Sequence, residues 1–553
     1  MTTDNEGGAR HAARLPGQER QVEQVRLPEL VRIPDEVLNR YRARLLDPST
    51  AVHILGTKRP ESTIYRSDTL LVPLRQAQSK ETIARYNKAL EPLGAELVVV
   101  LPDTPAWREA LKNFHPDMPI AVLITTRADS VSDHAPDPWA VLVVLRRAFP
   151  KDEEVQNIGL EHLAIAASTE VEGAPVSHGQ PVSHGQGPDS DGLPLYTGSR
   201  NPVLVVAPKP ARCPAASLPA GRRPVVATLD TGIGVHPWLT VGNPASDPVV
   251  EVSDDFQILL ADHESSLAAA TGDTIDPLTS PYEERDLVQP LLGLTDSHAG
   301  HGTFITGLVH QTCPDARVLS LRVLHTDGIA AEGSILLALE WLRQRVQAAI
   351  DDNEPDQIVD VVTLSLGYYP EQGDAADRLL LSDAIRRLTD LGVVVVAAAG
   401  NDATTRPFLP AALGLDPAHP DGCNPHVLAI GALNASGGTT AAFSNDGGWV
   451  CRWAPGNSVV STVPLWQGSA MGALMIGDHA GAGPRMRSAP DNDDLTTGFA
   501  VWAGTSFAAP IAAGLVAASF GQLPDATSLP DKLTRADQAI AATDTELAAR
   551  GWM

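Results

Sequence analysis

The sequence predicts an α/β protein in which a mostly parallel sheet is covered by helices on both faces, preceded by a smaller α+β domain. Three observations carry this. From about residue 201, near-continuous apolar runs alternate with helical stretches, the pattern of strands buried on both faces. From 69 to 168, shorter runs follow one another in the order β-α-β-β-α-β. Between them lies a stretch at 169–200 rich in Gly, Pro and Ser. At 553 residues the chain is too long for one ordinary core, so two domains and a linker are expected.

Taken in order, residues 1–28 are polar and of mixed charge, which predicts a disordered tail. The N-terminal domain spans 29–168. Its first stretch, 29–48, spaces Leu30, Val31, Ile33, Val37, Leu38, Tyr41 and Leu45 mostly by threes and fours and predicts a helix. Thr69–Leu74 reads as a strand, and Lys80–Leu93 as a helix ended by Gly94. Glu96–Leu101 is a strand closed by Pro102, and Pro119–Thr126 is another. Trp139–Phe149 is a helix opened by Asp137-Pro138, and Gly159–Ala167 a last strand. This order is the split βαβ, ferredoxin-like arrangement.

The 169–200 linker holds a tandem repeat, Pro-Val-Ser-His-Gly-Gln at 175–180 and again at 181–186. His178 and His184 invite a metal reading, but no Cys or carboxylate cluster accompanies them, so a flexible spacer is expected. The second domain, 201–525, carries strands at Val225–Leu229, Ala316–Val323, Val359–Leu366 and Val393–Ala399. Helices are expected from Ser334 to about Ile350 and over Asp377–Leu391, and 526–553 as a C-terminal tail.

Composition excludes several classes of function. A formal charge of −26 argues against nucleic-acid and anionic-membrane partners, which need basic patches. No apolar run reaches the ~18 residues of a spanning helix, and the N-terminus lacks the apolar core of a signal peptide, so a cytoplasmic protein is expected. Four cysteines give no disulfide framework and no C-x-x-C zinc motif; Cys423 and Cys451 are left as either a pair or free thiols.

Ligands of parallel sheets bind at the carboxyl ends of the strands, and the chemistry-bearing motifs sit there. Asp230-Thr-Gly closes the first strand of the second domain. His301-Gly-Thr precedes an apolar, small-residue stretch, placing an imidazole at a helix mouth, with His298 as a rival at helical spacing. Ala-Gly-Asn401 ends the run from Val393, where a side-chain amide can face a developing oxyanion. Gly504-Thr-Ser506-Phe-Ala-Ala-Pro510 puts a serine at the start of a buried helix, where Pro510 is tolerated in the first turn.

These motifs, in this order over roughly 222–522, resemble the subtilisin-like serine protease family. The resemblance implies a subtilisin-like catalytic domain in which Ser506 is the nucleophile, His301 the general base and Asp230 its orienting acid. The Asn401 side chain and the Ser506 amide would form the oxyanion hole. Ser365, Leu366 and Gly367 would pair with an extended substrate, and with Ala398, Ala399 and Gly400 would wall the S1 pocket. No cofactor is needed for this chemistry, no metal ligand is named, and structural calcium is admitted without a mapped site. A single Asp-Thr-Gly excludes an aspartic-protease monomer, which needs two.

The expected function is a serine endopeptidase acting on a peptide or protein, specialised for one precursor. A macrocyclase or transpeptidase uses the same acyl-enzyme, and an inactive binding module is the remaining alternative. The resemblance casts the N-terminal domain as a propeptide acting in cis on the cleft, cleaved between about 169 and 215, or else as a permanent regulatory domain. Asp230 and His301 lie 71 positions apart, so an acidic surface insertion is expected at 245–295, and a second insertion at 466–497.

Overall fold

The computed structural model describes residues 35–53, 59–130, 136–167, 200–205, 207–289, 294–371, 380–415, 425–466, 475–477, 485–487 and 495–553. The expected 1–28 tail, all of the repeat-bearing linker except Arg200, and Cys423 lie outside the described residues, as does most of the 466–497 insertion.

In the N-terminal domain, the helix expected over 29–48 is only six residues long where described, α1 (Asp35–Arg40). Arg42 adopts a left-handed φ of 48°, and β1 (Ala43–Leu46) then pairs antiparallel with β2 (Thr63–Pro73). Edge pairing has overridden a helical spacing of apolar residues. Next comes α2 (Lys80–Leu90), capped by the Ser79 hydroxyl, which accepts from Thr82 N–H; a short 3-10 turn ends at Gly94, φ 66°. The strands β3 (Ala95–Val99) and β4 (Pro119–Thr126) follow, then α3 (Pro138–Ala148) with Asp137 at its N-cap, then β5 (Gly159–Ala166). The sheet order β5-β2-β4-β3, with every neighbour antiparallel, is the ferredoxin-like arrangement.

The second domain runs β6 (Val225–Asp230), β7 (Val250–Val252), α4 (Asp254–Thr271), α5 (His301–Thr312), β8 (Arg317–Arg322), β9 (Ile329–Ala331) and α6 (Glu332–Asp351). It continues with β10 (Val361–Leu364), β11 (Leu366–Gly367), α7 (Leu380–Thr389), β12 (Val394–Ala398), β13 (Val427–Leu433), β14 (Arg452–Pro455), α8 (Thr505–Gly521) and α9 (Leu529–Arg550). Seven strands form one parallel sheet in the order β14-β13-β12-β10-β6-β8-β7. Helices α5, α8 and α9 pack together as one group, and α4, α6 and α7 as another.

Two expectations need correction. The acidic stretch at 245–295 is not a surface insertion: β7 is an edge strand of the main sheet, and α4 buries Phe256, Leu259, Leu260 and Leu267. Asp254 and Asp255 are exposed in the first turn of α4, whereas Glu264 turns inward to accept from Leu278 N–H at 2.8 Å. Nor is 526–553 a tail. Helix α9 buries Ala536, Ala539, Ile540 and Leu547 against α8, and its Arg535 reaches the buried Asp360 carboxylate at 2.7 Å.

The two domains meet at β5. Its end pairs antiparallel on one side with β9 (Leu163, Ala164 and Ile165 against Ala331, Ala330 and Ile329). On the other side Ile165 and Ala166 pair with Gly367 and Leu366 of β11.

Candidate active site

Asp230 ends β6, and His301 is the first residue of α5, so a strand end and a helix start bring acid and imidazole together. His301 Nδ1 lies 2.8 Å from Asp230 Oδ1, with both side chains buried. The approach depends on Gly302: a Cβ there would stand 2.2 Å from the Gly232 carbonyl oxygen. Trp502 and Phe507 close over the imidazole, with ring centroids at 5.4 and 5.3 Å. The rival His298 does not reach Asp230. Its Nδ1 lies 2.8 Å from the Ser297 hydroxyl, and burial, then the neighbouring His301, push it down to about 3, which keeps it neutral.

Ser506 sits in the first turn of α8, fully buried. Its hydroxyl donates to the Ser365 carbonyl at 3.0 Å, and its own carbonyl accepts from Ser365 Oγ at 2.8 Å. His301 Nε2 is buried and has no hydrogen-bond partner among the described residues. Asp230 and His301 are therefore in contact, while the Ser506 hydroxyl is turned from His301 to Ser365. The Ser506 amide is also engaged: it donates to the carbonyl oxygen of Ala167, the residue just past β5, at 2.9 Å.

Asn401 follows the carboxyl end of β12 by three residues. Its Oδ1 accepts from Thr505 N–H at 2.9 Å and Thr505 Oγ1 at 3.0 Å, which leaves its NH₂ as the end with hydrogens to give. Gly400, at φ 95°, donates its amide to Thr505 Oγ1 at 3.0 Å. Of the expected substrate-binding residues, Ser365 accepts the Ala167 amide at 2.8 Å, and Leu366 and Gly367 pair with the end of β5. Ala398 and Ala399 are fully buried at the end of β12. The Phe408 ring lies between the two segments: a Cβ added at Gly367 would come within 2.5 Å of it, and one at Gly400 within 3.1 Å. Arg406, nearby in sequence, is turned onto Glu61 at 3.1 Å and the Pro370 carbonyl at 2.9 Å.

Sequence reasoning missed two residues that hold this geometry. Asn445 is wholly buried; its Oδ1 accepts from Asp402 N–H at 2.9 Å and its Nδ2 donates to the Ala399 carbonyl at 2.8 Å, clamping the turn around Asn401. In the sequence it is one Asn in a Gly- and Asp-rich turn. Glu283, counted with the acidic insertion, is buried beside the Asp230–His301 pair. It accepts from Gly300 N–H at 2.6 Å and from Thr231 Oγ1 at 3.1 Å. Burial, reinforced by the Asp230 charge, pushes its carboxyl up to about 8 against the pull of the Gly300 amide and Arg322.

Among the described residues, no three His, Cys, Asp or Glu side chains converge as a metal-holding group. No described helix is long and apolar enough to cross a membrane. The chain is similar to Serine protease AprX of Bacillus subtilis (strain 168), at 25% identity over 330 residues, 57% of this chain and 60% of that protein. It is 26% identical to Subtilisin-like protease 3 of Pseudogymnoascus destructans, over 45% of this chain and 50% of that one. It is 30% identical to an Intracellular serine protease of Paenibacillus polymyxa, over 30% of this chain and 46% of that one. The chain thus spans about half the length of these curated relatives. The model of the subtilase family matches residues 221–536, more than half of the chain and a stretch that includes Asp230, His301, Asn401 and Ser506, so the chain belongs to the subtilase family.

Proposed function

We propose that this protein is a serine endopeptidase that cleaves peptide bonds through an acyl-enzyme on Ser506, and that its N-terminal domain lies in the cleft as a first substrate acting in cis. The observation that carries this reading is the Ala167 carbonyl on the Ser506 amide, beside the Asp230–His301 pair. In an acyl transfer, that amide and the Asn401 NH₂ would hold the oxygen as it becomes an oxyanion. The Ser506 hydroxyl rotates from Ser365 to His301 Nε2, loses its proton there and attacks the carbonyl carbon. Asp230 stabilises the imidazolium, which then protonates the departing amine. Water, deprotonated by His301, releases the carboxylate product and returns the serine. These groups complete the chemistry without a cofactor.

In this register the bond presented is Ala167–Ser168, just ahead of the 169–215 window expected from the linker. The residue before the bond is small, and the Phe408 ring stands between Gly367 and Gly400, on the two segments expected to wall the P1 side chain. The enzyme is therefore read as one that prefers a small P1 residue, with a peptide or protein as substrate.

One incubation tests the reading. Wild type and Ser506→Ala are held with a peptide mixture, and both peptides and chain are weighed by mass spectrometry. Loss of residues 1–167 from wild type but not from Ser506→Ala, with linear products, is the expected result. A wild-type chain that stays whole and cuts nothing would sink the reading. A whole chain that still cuts peptides would make the N-terminal domain a permanent one, and cyclic products would move the activity to ligation.

A further inference from the structure

Upstream of Ala167 the cleft makes a contact of a different chemical kind. His162 lies on β5, five residues before Ala167, and is buried. Its Nδ1 is 2.6 Å from Glu332 Oε2 and its Nε2 is 2.8 Å from Glu371 Oε2. The imidazole stacks on the Tyr368 ring at 4.3 Å, and the Tyr368 hydroxyl donates to Glu332 Oε1 at 2.6 Å. Glu332 opens α6 directly after β9, and Glu371 follows shortly after β11, so each carboxylate hangs from one of the two segments that flank β5. Both belong to the second domain.

The charge state of the occupant follows from the geometry. A neutral imidazole has one N–H and would set a lone pair against one of the carboxylates, whereas an imidazolium donates to both. Burial pushes the imidazole down, but Glu332 and Glu371 outweigh it and hold it up at about 10. Arg146 of α3 adds a second positive charge near Glu371. Both cations come from the N-terminal domain. When that domain leaves, the two carboxylates lose these counter-charges, and another cation can take their place.

We propose that Glu332 and Glu371, with Tyr368 as a ring platform, form a specificity subsite for a cationic side chain at the sixth residue upstream of the scissile bond, and that His162 is its occupant in cis. This rests on the cleft reading above. The subsite selects basic residues far from the bond being cut, while Phe408 selects size beside it. The enzyme therefore reads two separated features of an extended substrate.

The test uses peptides Ac-X-Leu-Ala-Ile-Ala-Ala-Ser-Thr-Glu-NH₂, with X as Lys, His, Gln or Glu, and the full chain taken through its own processing. Lys and His peptides are expected to exceed the Gln peptide in kcat/KM by roughly tenfold, and the Glu peptide by more, with the difference in KM. The double variant Glu332→Gln/Glu371→Gln should erase the preference, bringing the kcat/KM values of the four peptides within about twofold of one another. If that variant does not fold, the X series on the unsubstituted chain decides alone. Equal cleavage of all four peptides by that chain overturns the subsite. Failure to cut any of them between Ala and Ser overturns the cleft reading and the subsite with it.

Discussion

The amide of Ser506 donates to the Ala167 carbonyl oxygen at 2.9 Å, while the hydroxyl of the same serine is held 3.0 Å from the Ser365 carbonyl. Ser365 also accepts the Ala167 amide, so one carbonyl oxygen takes hydrogen bonds from both the strand in the cleft and the serine. On the proposed mechanism, this arrangement holds a carbonyl where an oxyanion would form and keeps the hydroxyl away from His301. We read it as a latent state, relieved when the end of β5 lets go and Ser506 turns to His301.

Asp230→Asn should lower kcat by about 10⁴ with KM little changed, because an amide cannot hold His301 in the tautomer that presents a free Nε2. The 2.8 Å contact of Asp230 Oδ1 with His301 Nδ1 is the interaction removed. Steady-state kinetics on a small-P1 peptide measures it, and circular dichroism checks that the fold is kept. A loss confined to KM would argue against the orienting role.

Asn401→Ala should cost about 10²–10³ in kcat, the loss expected for one oxyanion donor. Thr505→Ala removes one of the two hydrogen bonds that orient the Asn401 carboxamide, and leaves the Thr505 amide in place. It should therefore cost less than Asn401→Ala. If Thr505→Ala proved the more damaging of the two, Thr505 would be acting on Ser506 through the helix start rather than on Asn401.

The motifs around Asp230, His301, Asn401 and Ser506 were legible in the sequence because each sits at or just past a strand end or at a helix start whose local residues are constrained. Gly302 must lack a Cβ to pass Gly232, and Gly400 must adopt a positive φ. The ferredoxin-like order was legible for a similar reason: Gly94, Asp137 and Pro138 punctuate its elements. What escaped was decided by long-range packing. The apolar spacing of 43–46 fits a helix, yet the edge of β2 captured it. The acidic surface of α4 masked the apolar face beneath it. Asn445, Glu283 and the Glu332–Glu371 pair owe their roles to residues 17 to 209 positions away, a relationship one sequence does not display.

Glu283 gives a pH dependence with a definite sign. Its carboxyl sits near 4.5 in the unfolded chain and is pushed up to about 8 when folded, by burial first and the Asp230 charge last. Between those values the folded state holds a proton that the unfolded state has released, so this group's contribution to stability falls as pH rises from about 4.5 to 8. Glu283→Gln, uncharged throughout, should flatten that fall. In a Ser506→Ala background, which prevents self-cleavage, the Gln variant should melt higher than its parent at pH 8 and close to it at pH 4.5. Parallel melting curves across the range would contradict the buried, protonated carboxyl.

Phe408 and Ala167 should be coupled through size. If the ring limits the P1 side chain, Ala167→Phe places a second aromatic group where the first already stands between Gly367 and Gly400. Loss of residues 1–167 should then slow by at least tenfold, the low end of what misfit in an apolar pocket costs. Phe408→Ala empties that space at a stability cost of about 3–5 kcal/mol, since the ring is buried. The double variant Ala167→Phe/Phe408→Ala should recover processing that Ala167→Phe alone has lost. In peptides, Phe408→Ala should raise kcat/KM for a P1 Phe relative to a P1 Ala by about tenfold or more. Electrophoresis of the maturing chain reads the first effect, and paired peptides read the second independently of the N-terminal domain. Recovery in peptides but not in the chain would separate the role of Phe408 in the pocket from the seating of β5. No recovery in either would show that the ring does not set P1 size, and the small residue at 167 would then need another cause.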